Sequence, residues 1–160
     1  IKQCKLQPIP IAIAAQSAEA CRRAAKLNAG ILFDSLQSPE VSKKLSSAYR
    51  EAGGNGPIIL IRRVWIGSPP ASKIQAQMEH YHSYASDQAK ANWIEGDSTV
   101  LGQNGAQAAE RLIKILHTSG CDTVNIRIHV AGLEANQISE QLEKHKDDLV
   151  PLLKSDLRPI

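Results

Sequence analysis

The residues able to do chemistry in this chain of 160 amino acids are few, and most of them stand just after short apolar runs. Gln16-Ser17 follows the run Ile9 to Ala15, Asp34-Ser35 follows Ile31-Leu32-Phe33, Gly67-Ser68 follows a run containing Arg62-Arg63, and His129 to Gly132 closes the last. A hydroxyl such as Ser17 at a helix start lies beside backbone N–H groups that lack intrahelical partners, a setting that suits a phosphate and equally an ordinary N-cap. Arg62 and Arg63 are adjacent, so in a strand they point to opposite faces. The inward one suits an anion or an internal salt bridge, and parity leaves open which it is. His129 lies on the polar face of a run in which Val124, Ile126, Ile128 and Val130 alternate with Asn125, Arg127 and His129. That makes it the best catalytic candidate, set against a satisfied interior hydrogen bond. His80, His82, His117 and His145 fall in polar or helical stretches, where solvated or packing roles are the default.

The elements that must position these residues alternate. A β-rich apolar run is followed by an amphipathic helical pattern four times over, the sign of βα units and a parallel sheet. The first helix repeats Ala20, Ala24 and Leu27, with Ser17 as N-cap and Glu19 in its first turn. Gly30 precedes the second strand, and Ser38-Pro39-Glu40 begins a helix that runs to about Ala52 and stops at Gly53-Gly54. The third strand, from Pro57 to Ile66, is the longest. From Ala71 to about Ala91 the pattern is helical but polar, and Trp93 to Leu101 reads as a loop, so 71–101 is expected to be an insertion. Asn104 caps the next helix, with Ala109, Leu112 and Leu116 on one face and Gly120 at its end. The fourth strand ends at Gly132. Ile138, Leu142, Leu149 and Leu152 recur at roughly helical spacing in the last helix, with a kink expected at Pro151.

Composition excludes several classes. With 42% hydrophobic and 22% charged residues the chain is suited to one buried core, which excludes disorder and collagen-like repeats. A formal charge of +3, from 19 Lys+Arg against 16 Asp+Glu, is too small to imply a nucleic-acid partner. Cys4, Cys21 and Cys121 are widely spaced, without a CxxC pair, and read as free thiols of a reducing cytoplasm rather than metal ligands. No apolar run approaches the roughly 18 residues of a membrane span, and no signal peptide is visible, so no membrane partner is expected. The opening Ile1-Lys2-Gln3-Cys4 lacks an initiator Met, as in a processed or truncated chain.

Length adds a sharper limit. A (β/α)8 barrel needs roughly 200 residues at minimum, so this chain cannot close one alone. Its four units of about 40 residues predict roughly 320 for eight, within the range of barrels with insertions. The expected fold is therefore α/β, with parallel (β/α) units forming half of a TIM barrel as a single incomplete domain over 1–160. An open doubly wound sheet is the alternative. The alternating last strand favours the barrel, whose strands point one face inward where polar residues can sit.

The run Pro10-Ile11-Ala12-Ile13-Ala14-Ala15-Gln16-Ser17, continuing through Ala24-Ala25 to Gly30, resembles the fifth strand and following helix of the luciferase-like flavin monooxygenases. Leu101-Gly102, the helix containing Ala109-Glu110-Arg111-Leu112, and Ser119 through Asn125-Ile126-Arg127-Ile128-His129-Val130-Ala131-Gly132 resemble the end of that barrel, and the Leu149-Val150-Pro151-Leu152-Leu153 segment its closing helix. The resemblance spans about Pro8 to Leu157 and implies strands five to eight. It also implies a flavin- or deazaflavin-dependent oxidoreductase or monooxygenase, with FMN or the deazaflavin coenzyme F420 as cofactor and a small organic molecule as substrate. By resemblance, Ala15, Gln16 and Ser17 would contact the flavin phosphate, and Phe33 and Asp34 the ring or its ribityl chain. The insertion would cover the substrate site. The family's usual catalytic histidine belongs to strands one to four, which have no counterpart here.

Two readings follow. In the first, the chain is part of such an enzyme, inactive alone, with the cofactor supplying the reactivity. In the second, it is a non-catalytic half-barrel that binds or assembles with the missing amino-terminal half or with a copy of itself, because open strand edges favour association.

Overall fold

The computed structural model describes residues 9–94 and 98–156. Five strands and the helices between them follow in order: β1 (Ala12–Ala14), α1 (Ala18–Lys26), β2 (Gly30–Phe33), α2 (Pro39–Glu51), β3 (Ile58–Ile66), α3 (Ala71–Tyr84), α4 (Asp87–Lys90), β4 (Val100–Gly102), α5 (Gly105–Ser119), β5 (Thr123–Arg127), α6 (Ala135–Lys144), a π-helical turn (His145–Leu149) and α7 (Val150–Asp156). All named strand pairs are parallel. The fold is thus α/β, as the alternation of apolar runs and amphipathic helices predicts. Cys4 and Arg158-Pro159 lie outside the described residues.

β3 is the centre of the sheet. It pairs with β2 through Ile58 to Leu60, with β5 through Ile59 to Arg63, and with β4 through Val64 to Ile66. Its alternate residues Ile58, Leu60, Val64 and Ile66 join Ile31, Phe33, Ala24, Leu45, Leu112, Leu116 and Leu149 in one main core. Val124 and Ile126 of β5 pack against the same core. The helix-covered face of the sheet is therefore defined by the period of two along each strand.

Local chemistry sets the boundaries. Ser17, Ser38 and Asn104 accept hydrogen bonds from Ala20, Val41 and Gln107 as N-caps, each at the start expected from sequence. Such a cap contributes about 1 kcal/mol. Gly120 ends α5 at φ 69°, a left-handed conformation that costs glycine little. Two glycines are required by close approach instead. A Cβ at Gly102 would collide with the backbone of Ala108, and one at Gly105 with the backbone of Asp148.

The structure corrects several sequence expectations. The stretch expected as a loop over 93–101 carries β4 at its end, a strand of three residues whose pairing partner is remote and whose own sequence is too short to show a period. The first strand is confined to Ala12–Ala14, and the last ends at Arg127 rather than at Gly132. The helical stretch of the insertion is broken at Ala85, which is extended, and Ser86 caps a new short helix. Leu142 and Leu152, expected on the buried face of the last helix, are exposed. Leu149 is buried as expected, Gln141, His145 and Leu153 are buried in place of the other two, and the break before Pro151 is a π-helical turn.

Candidate functional site

Because the strands are parallel, the segments after β1, β2, β3 and β5 emerge at one end of the sheet, where α/β folds place their ligands. Two of the expected residues meet there. Gln16 donates from Nε2 to Asp34 Oδ2 at 3.1 Å, and Asp34 Oδ1 accepts the backbone N–H groups of Leu36 at 2.7 Å and Gln37 at 2.9 Å. Asp34 thereby shapes the turn after β2 while one oxygen reaches across to β1. Ser17, exposed, accepts from the Ala20 N–H at 3.2 Å. Glu19 in the first turn of α1 is drawn to Arg22 at 3.7 Å. Ala15 and Phe33 are completely buried, Ala15 with its N–H on the Leu32 carbonyl and both within the main core.

The arginine pair resolves by face. Arg62 shares the parity of the core residues and is fully buried, donating from Nη1 to the Ser35 carbonyl at 2.5 Å and from Nη2 to the Gln37 carbonyl at 2.6 Å. Burial pulls its guanidinium down to about 10, while the nearby Cys121 and Asp34 push it up. Burial also raises the Cys121 thiol, to about 11, which leaves it protonated and inert at neutral pH. Arg62 is thus a strut under the β2–α2 turn. Arg63 points to the opposite face, with only 2% of its surface exposed, and its Nε donates to the His129 carbonyl at 3.4 Å. On that face it stands in register beside Arg127 of β5. Arg127 and His129 are exposed, as their alternation with Val124 and Ile126 predicts.

The segment after β3 covers this end. Ile74 and Met78 of α3 form a second, smaller core with Leu36 and Val130, flanked by Tyr81, Trp93 and Leu133. The far end of the segment is clipped to the β2–α2 turn. Gln37 and Trp93 form an antiparallel bridge, the Ile94 N–H donates to Leu36 at 2.8 Å, and the Ser38 N–H donates to Asn92 at 2.9 Å. Lys73 Nζ donates to the Gly132 carbonyl at 2.5 Å, tying α3 to the turn after β5. A depression of about 340 Å³ opens beside it, lined by Lys73, Gln77, His80, Tyr81 and Ala131. The insertion therefore packs across the loops that carry the candidate residues.

Sequence reasoning missed two things. The pairing of Gln16 with Asp34 joins residues from different units, and only the β1–β2 register brings them together. The adjacency of Arg63 and Arg127 likewise depends on the β3–β5 register, although the alternation in each strand was the available signal. Among the described residues, no group of His, Cys, Asp and Glu is arranged to hold a metal, and no helix is long and apolar enough to cross a membrane.

No family model and no curated protein matches the chain. Solved structures do. The crystal structure of apo-MsnO8 superposes with a TM-score of 0.59 at 14% identity, covering 96% of this chain and 54% of that one. The monooxygenase RslO1 from Streptomyces bottropensis gives 0.60 at 14% identity over 89% of this chain and 47% of its own. The EDTA monooxygenase EmoA from Chelativorans sp. BNC1 gives 0.53 at 16% identity over 95% and 48%. The likeness is one of fold, and this chain spans about half the length of the structures it matches.

Proposed function

We propose that this chain is the carboxyl-terminal half of a luciferase-like barrel, part of an oxidoreductase or monooxygenase that uses a reduced flavin or deazaflavin on a small organic substrate. The observation that carries the proposal is the fold likeness over 96% of this chain to a solved structure about twice its length, with monooxygenases among the other matches. The residues at the carboxyl ends of the strands fit such a cofactor. The exposed Ser17 hydroxyl and the first N–H groups of α1 would hold its phosphate. Gln16 and Asp34, already hydrogen bonded to each other, offer polar atoms for a hydroxylated chain. Ala15 and Phe33 enter this reading as the buried floor on which that cradle rests, since neither has exposed surface. His129, exposed just after β5, would contact flavin or substrate.

When bound, the flavin supplies the electrons for hydride transfer or oxygen activation. The chain's own residues then bind and orient it, and His129 holds or moves a proton at its imidazole nitrogens. Residues 71–101 would serve as the cover that limits water, given the packing of α3 against Leu36 and Val130. The test is the visible spectrum of the full-length protein titrated with FMN and with coenzyme F420. A saturable shift with either supports the reading, and binding of neither defeats it.

A second reading, a non-catalytic assembly module that pairs with the amino-terminal half or with a copy of itself, draws on the apolar approach to β1. Ile9 and Ile11 are 70% and 65% exposed beside a strand that, among the described residues, pairs only with β2. Sedimentation of the chain alone and with the complementary half distinguishes the two partners.

A further inference from the structure

Among the described residues, Arg63 is a buried cation without a counter-ion. Its side chain is 98% buried, and its Nη1 has no hydrogen-bond partner. Its Nε donates to a backbone carbonyl at 3.4 Å, a long and weak bond. Among the described residues no carboxylate pairs with it or with Arg127. The two arginines nevertheless stand in register on neighbouring parallel strands, which lie about 5 Å apart, so two side chains of like charge leave the sheet side by side. A buried unpaired charge and a like-charge neighbour are both unfavourable, and one ligand relieves both, namely an anion between the guanidinium groups. Arg62 differs in degree: its Nε is likewise unpartnered, but two carbonyls take its Nη1 and Nη2.

The position is specific. The reach of Arg63 Nε to the His129 carbonyl runs its side chain toward the carboxyl end of the sheet, on the face that also presents Arg127 and His129. This face lies on β3 and β5, whereas the Ser17 cradle lies after β1, on the far side of β2. We infer that Arg63, Arg127 and His129 form a seat for the anionic head of the substrate, a carboxylate or a sulfonate, taken in the paired geometry that guanidinium groups favour. The inference rests on the flavin reading above for the word substrate, but the seat itself does not. A flavin phosphate is the competing source of the same charge.

The experiment titrates the full chain, without flavin, with benzoate and benzenesulfonate and, as the neutral control, benzyl alcohol, following the His129 imidazole signals by NMR. Both anions should bind and move those signals while the alcohol does not. Arg127→Gln, an exposed substitution, should weaken anion binding about tenfold or more, and Arg127→Lys should retain part of it. No anion binding by the unmodified chain, or equal binding by Arg127→Gln, overturns the inference. A parallel titration compares FMN with riboflavin. The preference for FMN should survive in Arg127→Gln, and its collapse assigns the seat to the cofactor phosphate and overturns the substrate assignment. Anion binding without any flavin binding would leave the seat standing and sink the flavin reading alone.

Discussion

The side-chain amide of Gln141 completes the backbone of Ile66, accepting from its N–H at 3.0 Å and donating to its carbonyl at 2.8 Å. A residue of α6 thereby supplies, at the last position of β3, the pair of bonds that another strand would supply. Both partners are buried.

Gln141→Ala should therefore destabilise the chain by about 1–3 kcal/mol, since it leaves a donor and an acceptor unpaired in the interior. Urea denaturation followed by circular dichroism measures the effect. A change below a few tenths of a kcal/mol would mean that water replaces the amide.

Arg62→Met should be more damaging than its conserved bulk suggests. It strips the Ser35 and Gln37 carbonyls of their donors and loosens the turn to which Trp93 is clipped. A loss of about 3 kcal/mol is expected, with a shift of tryptophan emission toward that of solvent-exposed indole. Unchanged emission together with unchanged stability would show that the strut carries no load.

His145 gives the fold a pH dependence. Burial holds its imidazole below the ordinary value of 6.5, outweighing the hydrogen bond from Nδ1 to the Gln141 carbonyl. The unfolded chain then binds the proton more readily than the folded one, so stability is complete above pH 6.5 and declines as pH falls from there toward the lowered folded value. His145→Gln should flatten that slope between pH 7 and 5. Equal slopes in the two proteins would place the titration elsewhere.

Ser17→Ala should cost about 1 kcal/mol through loss of the Ala20 bond and should also narrow the preference for FMN over riboflavin. His129→Asn should weaken flavin binding or lower turnover in the complete barrel while leaving stability within about 0.5 kcal/mol, because the side chain is exposed. Full affinity and full rate would remove His129 from the site.

Much of this molecule was legible along the chain because its information is local. Ser17, Ser38 and Asn104 announce helix starts by their own side chains, and the alternation from Val124 to Val130 separates two faces without reference to any neighbour. What escaped depends on register or on partners far away. β4 is a strand only because Val64 to Ile66 pair with it. Leu142 and Leu152 are exposed and Gln141 and His145 buried because a polar amide is needed at Ile66 and a π-helical turn advances the last helix around its axis. The meeting of Gln16 with Asp34, and of Arg63 with Arg127, is a property of strand order rather than of either segment.

The long central strand has a temporal meaning as well. Residues 59–63 of β3 find their β5 partners only at positions 123–127, and Ile66 waits for a residue 75 positions later. During synthesis the stretch carrying both arginines must therefore leave the ribosome with one edge bare, and it stays so until β5 has followed it, while Ile66 waits for α6. The charges at Arg62 and Arg63, in the middle of an otherwise apolar run, are well placed to keep that nascent edge from pairing with another chain in the interval.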